Sequence, residues 1–246
     1  MESTKPSRRI ERVRHEIRMR PATVRQVTPV GKHFVAVTFG GEAMADFVSA
    51  SFDDHIKFIF EDENGEQLRR DYTPRYFNRQ TGELTIEFDL SHDGKAANWA
   101  RAAQAGTQAI IAGPRGSMII PADFDWHLLI ADGSGMPAIR RRVEELPAGA
   151  KVMVISMLGD ETDRVLGTSK AEISQQQVAN ADELFATVRA LQLPTGEGFV
   201  WAAGELSVMR TLRELLVAEK QQPKELMRIA AYWKPGAADF HENLET

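Results

Sequence analysis

The segment Arg70-Asp71-Tyr72-Thr73-Pro74-Arg75-Tyr76 places a guanidinium, an aromatic ring and a hydroxyl within four residues. On a strand, residues i and i+2 share a face. Arg70 could then clamp a phosphate bidentately while Tyr72 lies flat on an aromatic ring. The Thr73 hydroxyl and backbone N–H would reach a ring nitrogen. A flavin dinucleotide offers a pyrophosphate, a flat tricyclic ring and a ring nitrogen in that order. A surface strand turning at Pro74 would use the same residues without a ligand.

A second segment, Phe88 to Ala100, reads as strand, glycine turn and helix start. The free N–H groups and dipole of a helix N-terminus attract anions. Gly94, Ala96 and Ala97 would let a phosphate approach the backbone. His92, Lys95 and Asn98 add polar groups, and Trp99 offers a flat wall. An ordinary helix with a packed Trp is the plainer reading. Ala112-Gly113-Pro114-Arg115-Gly116-Ser117 is a glycine turn between strands, compatible with a ligand or a tight hairpin.

Three further segments end apolar runs. Leu128 to Ala131 leads into Asp132-Gly133-Ser134-Gly135-Met136-Pro137, where a buried strand opens a helix with Pro in its first turn. The spacing is not GxGxxG, yet it occupies the strand-to-helix crossover where α/β sheets bind dinucleotides. Phe199 to Ala203 runs into Gly204-Glu205, and Glu205 either faces a nicotinamide or caps the next helix. Ala230 to Gly236 carries Tyr232, Trp233 and Lys234. Trp233 either shields a flavin or is a core ring.

These segments need a scaffold that brings strand ends together. The first half supplies short apolar or alternating runs at Thr23–Val27, His33–Phe39, His55–Phe60, Leu84–Leu90, Gln108–Ala112 and Ser117–Ile120. Asn64-Gly65 and Thr81-Gly82 are turn signals between them. Six such strands predict a small antiparallel β-barrel, interrupted by a helix at 95–103. The second half alternates strands (Trp126–Ala131, Lys151–Leu158, Gly198–Ala203, Met227–Trp233) with helices (Pro137–Leu146, Leu184–Leu191, Leu206–Lys220). That rhythm predicts a parallel α/β sheet with helices on both faces. Residues 159–180 are polar and carry no clear period. The expected organisation is a basic arm at 1–15, a barrel domain at 16–121 and an α/β domain at 122–246.

Composition narrows the chemistry. The chain has 246 residues, 43% hydrophobic and 26% charged, with no Cys. That excludes disulfides, thiolate metal sites, Cys-ligated iron–sulfur clusters and a cysteine nucleophile within it. No run of 18 apolar residues and no signal-type core occur, so a cytoplasmic protein is expected. The net charge of −5 conceals a basic N-terminus. Residues 1–25 hold eight Lys/Arg against three Glu, a net of +5 that leaves −10 on the rest. No aromatic residue interleaves this arm, so neither a nucleic-acid nor a membrane partner is expected.

Taken in order, the segments resemble the siderophore-interacting protein family, the FAD-dependent ferric-siderophore reductases. The resemblance spans about residues 16–236. It rests on Phe52-Asp53-Asp54-His55-Ile56-Lys57, Arg70-Asp71-Tyr72-Thr73-Pro74, His92-Asp93-Gly94…Trp99-Ala100 and Ala112 to Ser117. Met136-Pro137-Ala138-Ile139, Trp201 to Glu205 and Ala231-Tyr232-Trp233 complete it. The resemblance implies a flavin-binding barrel followed by a nicotinamide-binding α/β domain, with FAD as cofactor and NADPH or NADH as donor. It implies flavin contacts from Arg70, Tyr72 and Thr73. It implies phosphate and adenine contacts from His92 to Trp99, and nicotinamide-domain contacts beginning at Asp132, Gly133 and Ser134. This chain departs from the usual family sequence at Gly133-Ser134 and at Lys95-Ala96-Ala97-Asn98. The implied reaction carries electrons from NAD(P)H, or from a ferredoxin-type protein, to siderophore-bound Fe(III). Lys57, Arg115 and Lys234 are the expected basic lining for an anionic ferric chelate. Rival readings are a general NAD(P)H:flavin reductase or oxygenase partner, a non-enzymatic siderophore carrier, and a DNA-binding regulator.

Overall fold

The computed structural model describes residues 10–237 and 240–244. Its first half contains β1 (Glu11–Arg14), β2 (Met19–Val30), β3 (Phe34–Gly40), β4 (Ile56–Glu61), β5 (Gln67–Tyr72), β6 (Tyr76–Asn78) and β7 (Glu83–Asp89). Helix α1 (Lys95–Ala102), β8 (Gln108–Ala112) and β9 (Gly116–Ile119) follow. Seven strands form one antiparallel, barrel-like sheet in the order β5-β4-β8-β2-β3-β7-β6. Alternation decides which face is core: Val35, Val37 and Phe39 of β3, Phe58 and Phe60 of β4, and Leu84, Ile86 and Phe88 of β7 are buried together. Helix α1 adds Ala96, Trp99 and Ala100, at i, i+3 and i+4, to the same core.

The expected antiparallel barrel is present, with its strand count corrected from six to seven. The sheet gains β5 and β6 and does not include β9, which pairs with β1 instead. Strands β5 and β6 end the sheet and carry few apolar residues, so no hydrophobic run announces them. The expected basic arm also contributes structure: residues 11–14 are strand β1, while residues 1–9 lie outside the described residues.

The second half contains β10 (Trp126–Asp132), α2 (Met136–Glu145), β11 (Lys151–Met157), β12 (Glu172–Val178) and α3 (Ala181–Ala190). It continues with β13 (Gly198–Glu205), α4 (Leu206–Ala218), β14 (Met227–Trp233) and β15 (Glu242–Asn243). The sheet order is β12-β11-β10-β13-β14-β15, parallel except for β15. All seven residues of β10 are buried, as a central parallel strand requires. Strand β12 is the polar edge inside the unassigned 159–180 stretch. Helix α3 is started by reciprocal caps: the Asn180 side chain accepts from Glu183 N at 3.0 Å, and the Glu183 carboxylate accepts from Ala179 N at 2.9 Å. Pro137 sits in the first turn of α2.

The two halves share a core. Phe34, Phe52, Ile120 and Phe124 pack with Leu129, Ile139, Val143 and Trp201. Three buried acids tie them further. Glu87 of β7 accepts from Arg75 Nε at 3.0 Å and from Arg140 Nη1 of α2 at 2.5 Å. Asp53 accepts from Trp201 Nε1 at 2.8 Å and from Arg228 Nε at 3.0 Å. Asp163 accepts from the backbone N–H groups of Lys32 and His33 at 2.7 and 2.8 Å.

His127 on β10 is buried, and its Nδ1 has no partner among the described residues. Burial, with the Arg142 charge, lowers its pKa from 6.5 to about 4. The unfolded chain thus binds the proton first, so this group's stability contribution is present above pH 6.5 and lost as pH falls through about 4. That span is worth up to about 3 kcal/mol. Urea melts of wild type and His127→Phe across this range should differ by a pH-dependent amount. Parallel pH curves would contradict the expectation.

Candidate flavin and nicotinamide site

A cavity of about 610 Å³ opens where the barrel meets the carboxyl edge of the parallel sheet. That volume lies within the range of cofactor pockets. From the barrel come Arg70, Tyr72 and Thr73 at the end of β5, and His92, Gly94, Lys95, Ala96 and Ala97 around the start of α1. From the α/β half come Gly133, Ser134 and Trp233. Eleven of the fifteen residues expected to bind cofactor thus line one cavity.

Each is positioned by its element. Strand β5 pairs Tyr72 with Ile56 and Arg70 with Phe58 of β4. The Tyr72 ring packs on Phe88 at 4.5 Å and edge-on to Phe58 at 5.8 Å, so its orientation is set from behind. Burial raises the Tyr72 hydroxyl pKa, which keeps the ring neutral. Arg70 donates to the Arg69 carbonyl at 2.8 Å and has no carboxylate partner among the described residues. Its charge is available to an anion. The start of α1 is capped by Gly94 with no side-chain hydrogen bond, which leaves backbone N–H groups facing the cavity wall. Lys95 is ion-paired to Asp62 beside it.

The sheet edge is organised by Asp132. Its carboxylate accepts from Ser134 N and Oγ at 2.9 and 2.5 Å, from Trp233 Nε1 at 2.8 Å and from Glu205 N at 3.1 Å. Burial pushes this carboxyl up against those hydrogen bonds. Asp132 therefore holds Ser134 and Trp233 toward the cavity without lining it. A Cβ on Gly133 would overlap the Asp89 carboxylate of β7, which gives a reason for glycine at this position. Gly133→Ala should cost roughly 1–3 kcal/mol by overpacking and weaken cofactor retention. A thermal melt and an FAD content equal to wild type would contradict this.

Four expected cofactor contacts do not reach the cavity surface. Trp99 turns inward, with Phe58 at 4.7 Å and Phe88 at 5.8 Å, and is a barrel-core ring. Asn98 is exposed and accepts from Arg101 at 2.8 Å. Asp132 acts behind the wall, as above. Glu205 caps α4, accepting from Ser207 N at 2.8 Å and Val208 N at 3.1 Å.

The three basic substrate candidates are not gathered either. Lys57 is ion-paired to Asp71 at 3.0 Å, and Asp71 lines the cavity. Lys234 lies over the Phe240 ring, 4.7 Å from its centroid, at the cavity's edge. Arg115 sits in the 113–116 turn, whose Gly113 and Pro114 line a separate groove. The cavity also has walls to which the sequence assigns no site role, His55, Asp71, Glu87, Asp89 and His241, and it includes Tyr232, the second aromatic of the last motif strand. Alternation along β7 puts Glu87 opposite the barrel-core residues Ile86 and Phe88, the face that reads as solvated. It is buried because the α/β half covers it.

This donor set suits a flavin dinucleotide. A flat ring, a neighbouring hydroxyl, an uncompensated guanidinium and a helix start flanked by small residues are the groups such a ligand needs. Sequence comparison agrees. A model of the siderophore-interacting FAD-binding domain matches residues 23–69 and 63–118, and a siderophore-interacting protein model matches residues 124–236. The chain is 33% identical to the NADPH-dependent ferric-chelate reductase of Escherichia coli (strain K12), covering 91% of this chain and 96% of that protein. It is 27% identical to the ferric vibriobactin reductase of Vibrio cholerae, covering 87% and 89%. A siderophore utilization protein from T. fusca superposes with a TM-score of 0.86 at 29% identity, covering 94% of this chain and 98% of that one. The two family matches take in both halves of the molecule and meet at the cavity between them, so the chain belongs to the siderophore-interacting protein family.

Proposed function

We propose that this protein is an FAD-dependent ferric-siderophore reductase that draws electrons from NADPH. The observation that carries the reading is the single cavity in which Arg70, Tyr72 and Thr73 face Gly133, Ser134 and Trp233. Bound FAD supplies exchange between a two-electron hydride donor and a one-electron Fe(III) acceptor. The chain's own residues do the positioning. Tyr72 supports the flavin ring, Thr73 offers its hydroxyl at the ring edge, and Arg70 with the start of α1 neutralises the pyrophosphate. Ser134 and Trp233, fixed by Asp132, shape the nicotinamide side. Lys234 lies at the rim, where it would meet an anionic chelate. Reduction weakens the hold of hard catecholate or hydroxamate oxygens on the iron.

The names of the two relatives support the substrate class and the donor. NADPH as donor supports a cytoplasmic location, and a ferredoxin-type protein is the alternative donor. No helix among the described residues is long and apolar enough to cross a membrane. A steady-state assay tests the reading: anaerobic protein, NADPH and a ferric catecholate, with Fe(II) trapped by a coloured chelator. Fe(II) should form at a rate proportional to enzyme. Turnover of free flavin without iron reduction would favour the general flavin-reductase alternative.

A further inference from the structure

Beside the flavin-side residues, the same cavity wall carries His55, Asp71 and His241. Their potential ligand atoms all lie within 4.8 Å of one another. The three come from separate elements: His55 precedes β4, Asp71 lies on β5, and His241 immediately precedes β15. The β4–β5 register sets Lys57 opposite Asp71, and alternation puts His55 on the face of Lys57. The two imidazoles meet edge to face with centroids 4.8 Å apart. Lys57 takes one carboxylate oxygen of Asp71, Oδ2, at 3.0 Å. The other, Oδ1, is buried and has no hydrogen-bond partner among the described residues. A buried carboxylate oxygen without a donor is costly unless something else occupies it.

We propose that His55, Asp71 and His241 bind Fe(II), the product of the proposed reduction, on the wall of the cavity in which it forms. Two imidazoles and one carboxylate with open positions are a donor set suited to Fe(II). Siderophore oxygens are hard and favour Fe(III), whereas imidazole nitrogen favours the divalent ion. The set therefore discriminates by oxidation state: iron stays with the chelator before reduction and transfers to the protein after it. Metal–ligand distances near 2 Å require the three side chains to draw slightly closer than they stand here. The proposal rests on the reductase reading for the source of the iron. The binding site itself is testable without turnover.

The test is anaerobic calorimetric titration of the FAD-loaded full chain with ferrous salt alone, with no siderophore or NADPH present. Wild type should bind one Fe(II) saturably. Compared at equal FAD occupancy, His55→Ala and His241→Ala should each weaken Fe(II) binding by roughly 10-fold or more. Asp71→Asn, which keeps the shape and removes the charge, should also weaken it. Absence of saturable binding by wild type overturns the site, as does wild-type affinity in either His variant. Either failure, in a protein that still reduces a ferric catecholate, removes the site and leaves the reductase reading intact.

Discussion

Glu87→Ala should lower unfolding stability by about 3–5 kcal/mol, the largest effect expected of any single exchange outside the hydrophobic core. Glu87 is 6% exposed and is the shared partner of Arg75 and Arg140, themselves 9% and 1% exposed. Removing it takes the carboxylate from buried Arg140 and one of two carboxylates from Arg75. Arg75 keeps its bidentate bonds to Glu144 at 2.8 and 2.5 Å. Arg140 keeps the carbonyls of Asp163 and Val165 at 2.6 and 2.8 Å and the face of Phe34 at 4.3 Å. Neither retained set includes the carboxylate that linked the two guanidinium groups. Glu87→Gln preserves shape and one acceptor, so its loss should be smaller. Urea titration of both variants reads the difference directly. A change below about 1 kcal/mol for the Ala variant would mean that the linkage does not hold the halves together.

The second large effect concerns the cofactor. Arg70→Ala should weaken FAD binding by roughly 10- to 100-fold, the equivalent of about 1.5–3 kcal/mol for a charge-assisted contact. Arg70 has no carboxylate partner among the described residues, so its removal should spare the fold. Tyr72→Phe should retain FAD, because the ring and its packing on Phe88 and Phe58 survive. Tyr72→Ala should lose it. Equilibrium titration of the FAD-free proteins, followed by flavin fluorescence, gives all three constants. Wild-type affinity in Arg70→Ala, or equal loss in Tyr72→Phe and Tyr72→Ala, would contradict the assigned roles.

How much of this could be read in the chain follows from what each signal measures. Alternation and continuous apolar runs report burial, so β3, β4, β7, β10 and β13, whose side chains build the cores, are legible. Strands β5, β6 and β12 are sheet ends with polar sequences, and their pairing is carried by backbone groups that leave no side-chain pattern. Within the cavity, the legible residues sit in local motifs at strand ends and at a helix start. The less legible ones depend on what lies across the gap. Glu87 is covered only when the α/β half docks, and His55, Asp71 and His241 converge from segments up to 186 positions apart. Trp99 shows the opposite limit. Expected as a ligand wall, it packs instead in the barrel core on the helix face that it shares with Ala96 and Ala100.

With no Cys, the chain offers no thiolate for an iron–sulfur relay, so the electron carrier it holds must be the flavin. One visible spectrum of the purified protein, taken before and after anaerobic NADPH and again after a ferric catecholate, measures this directly. The flavin bands should bleach with NADPH and return when the iron complex is added, with Fe(II) appearing in step. A protein that takes up no flavin, or a bleached flavin that the ferric complex does not reoxidise, would contradict it.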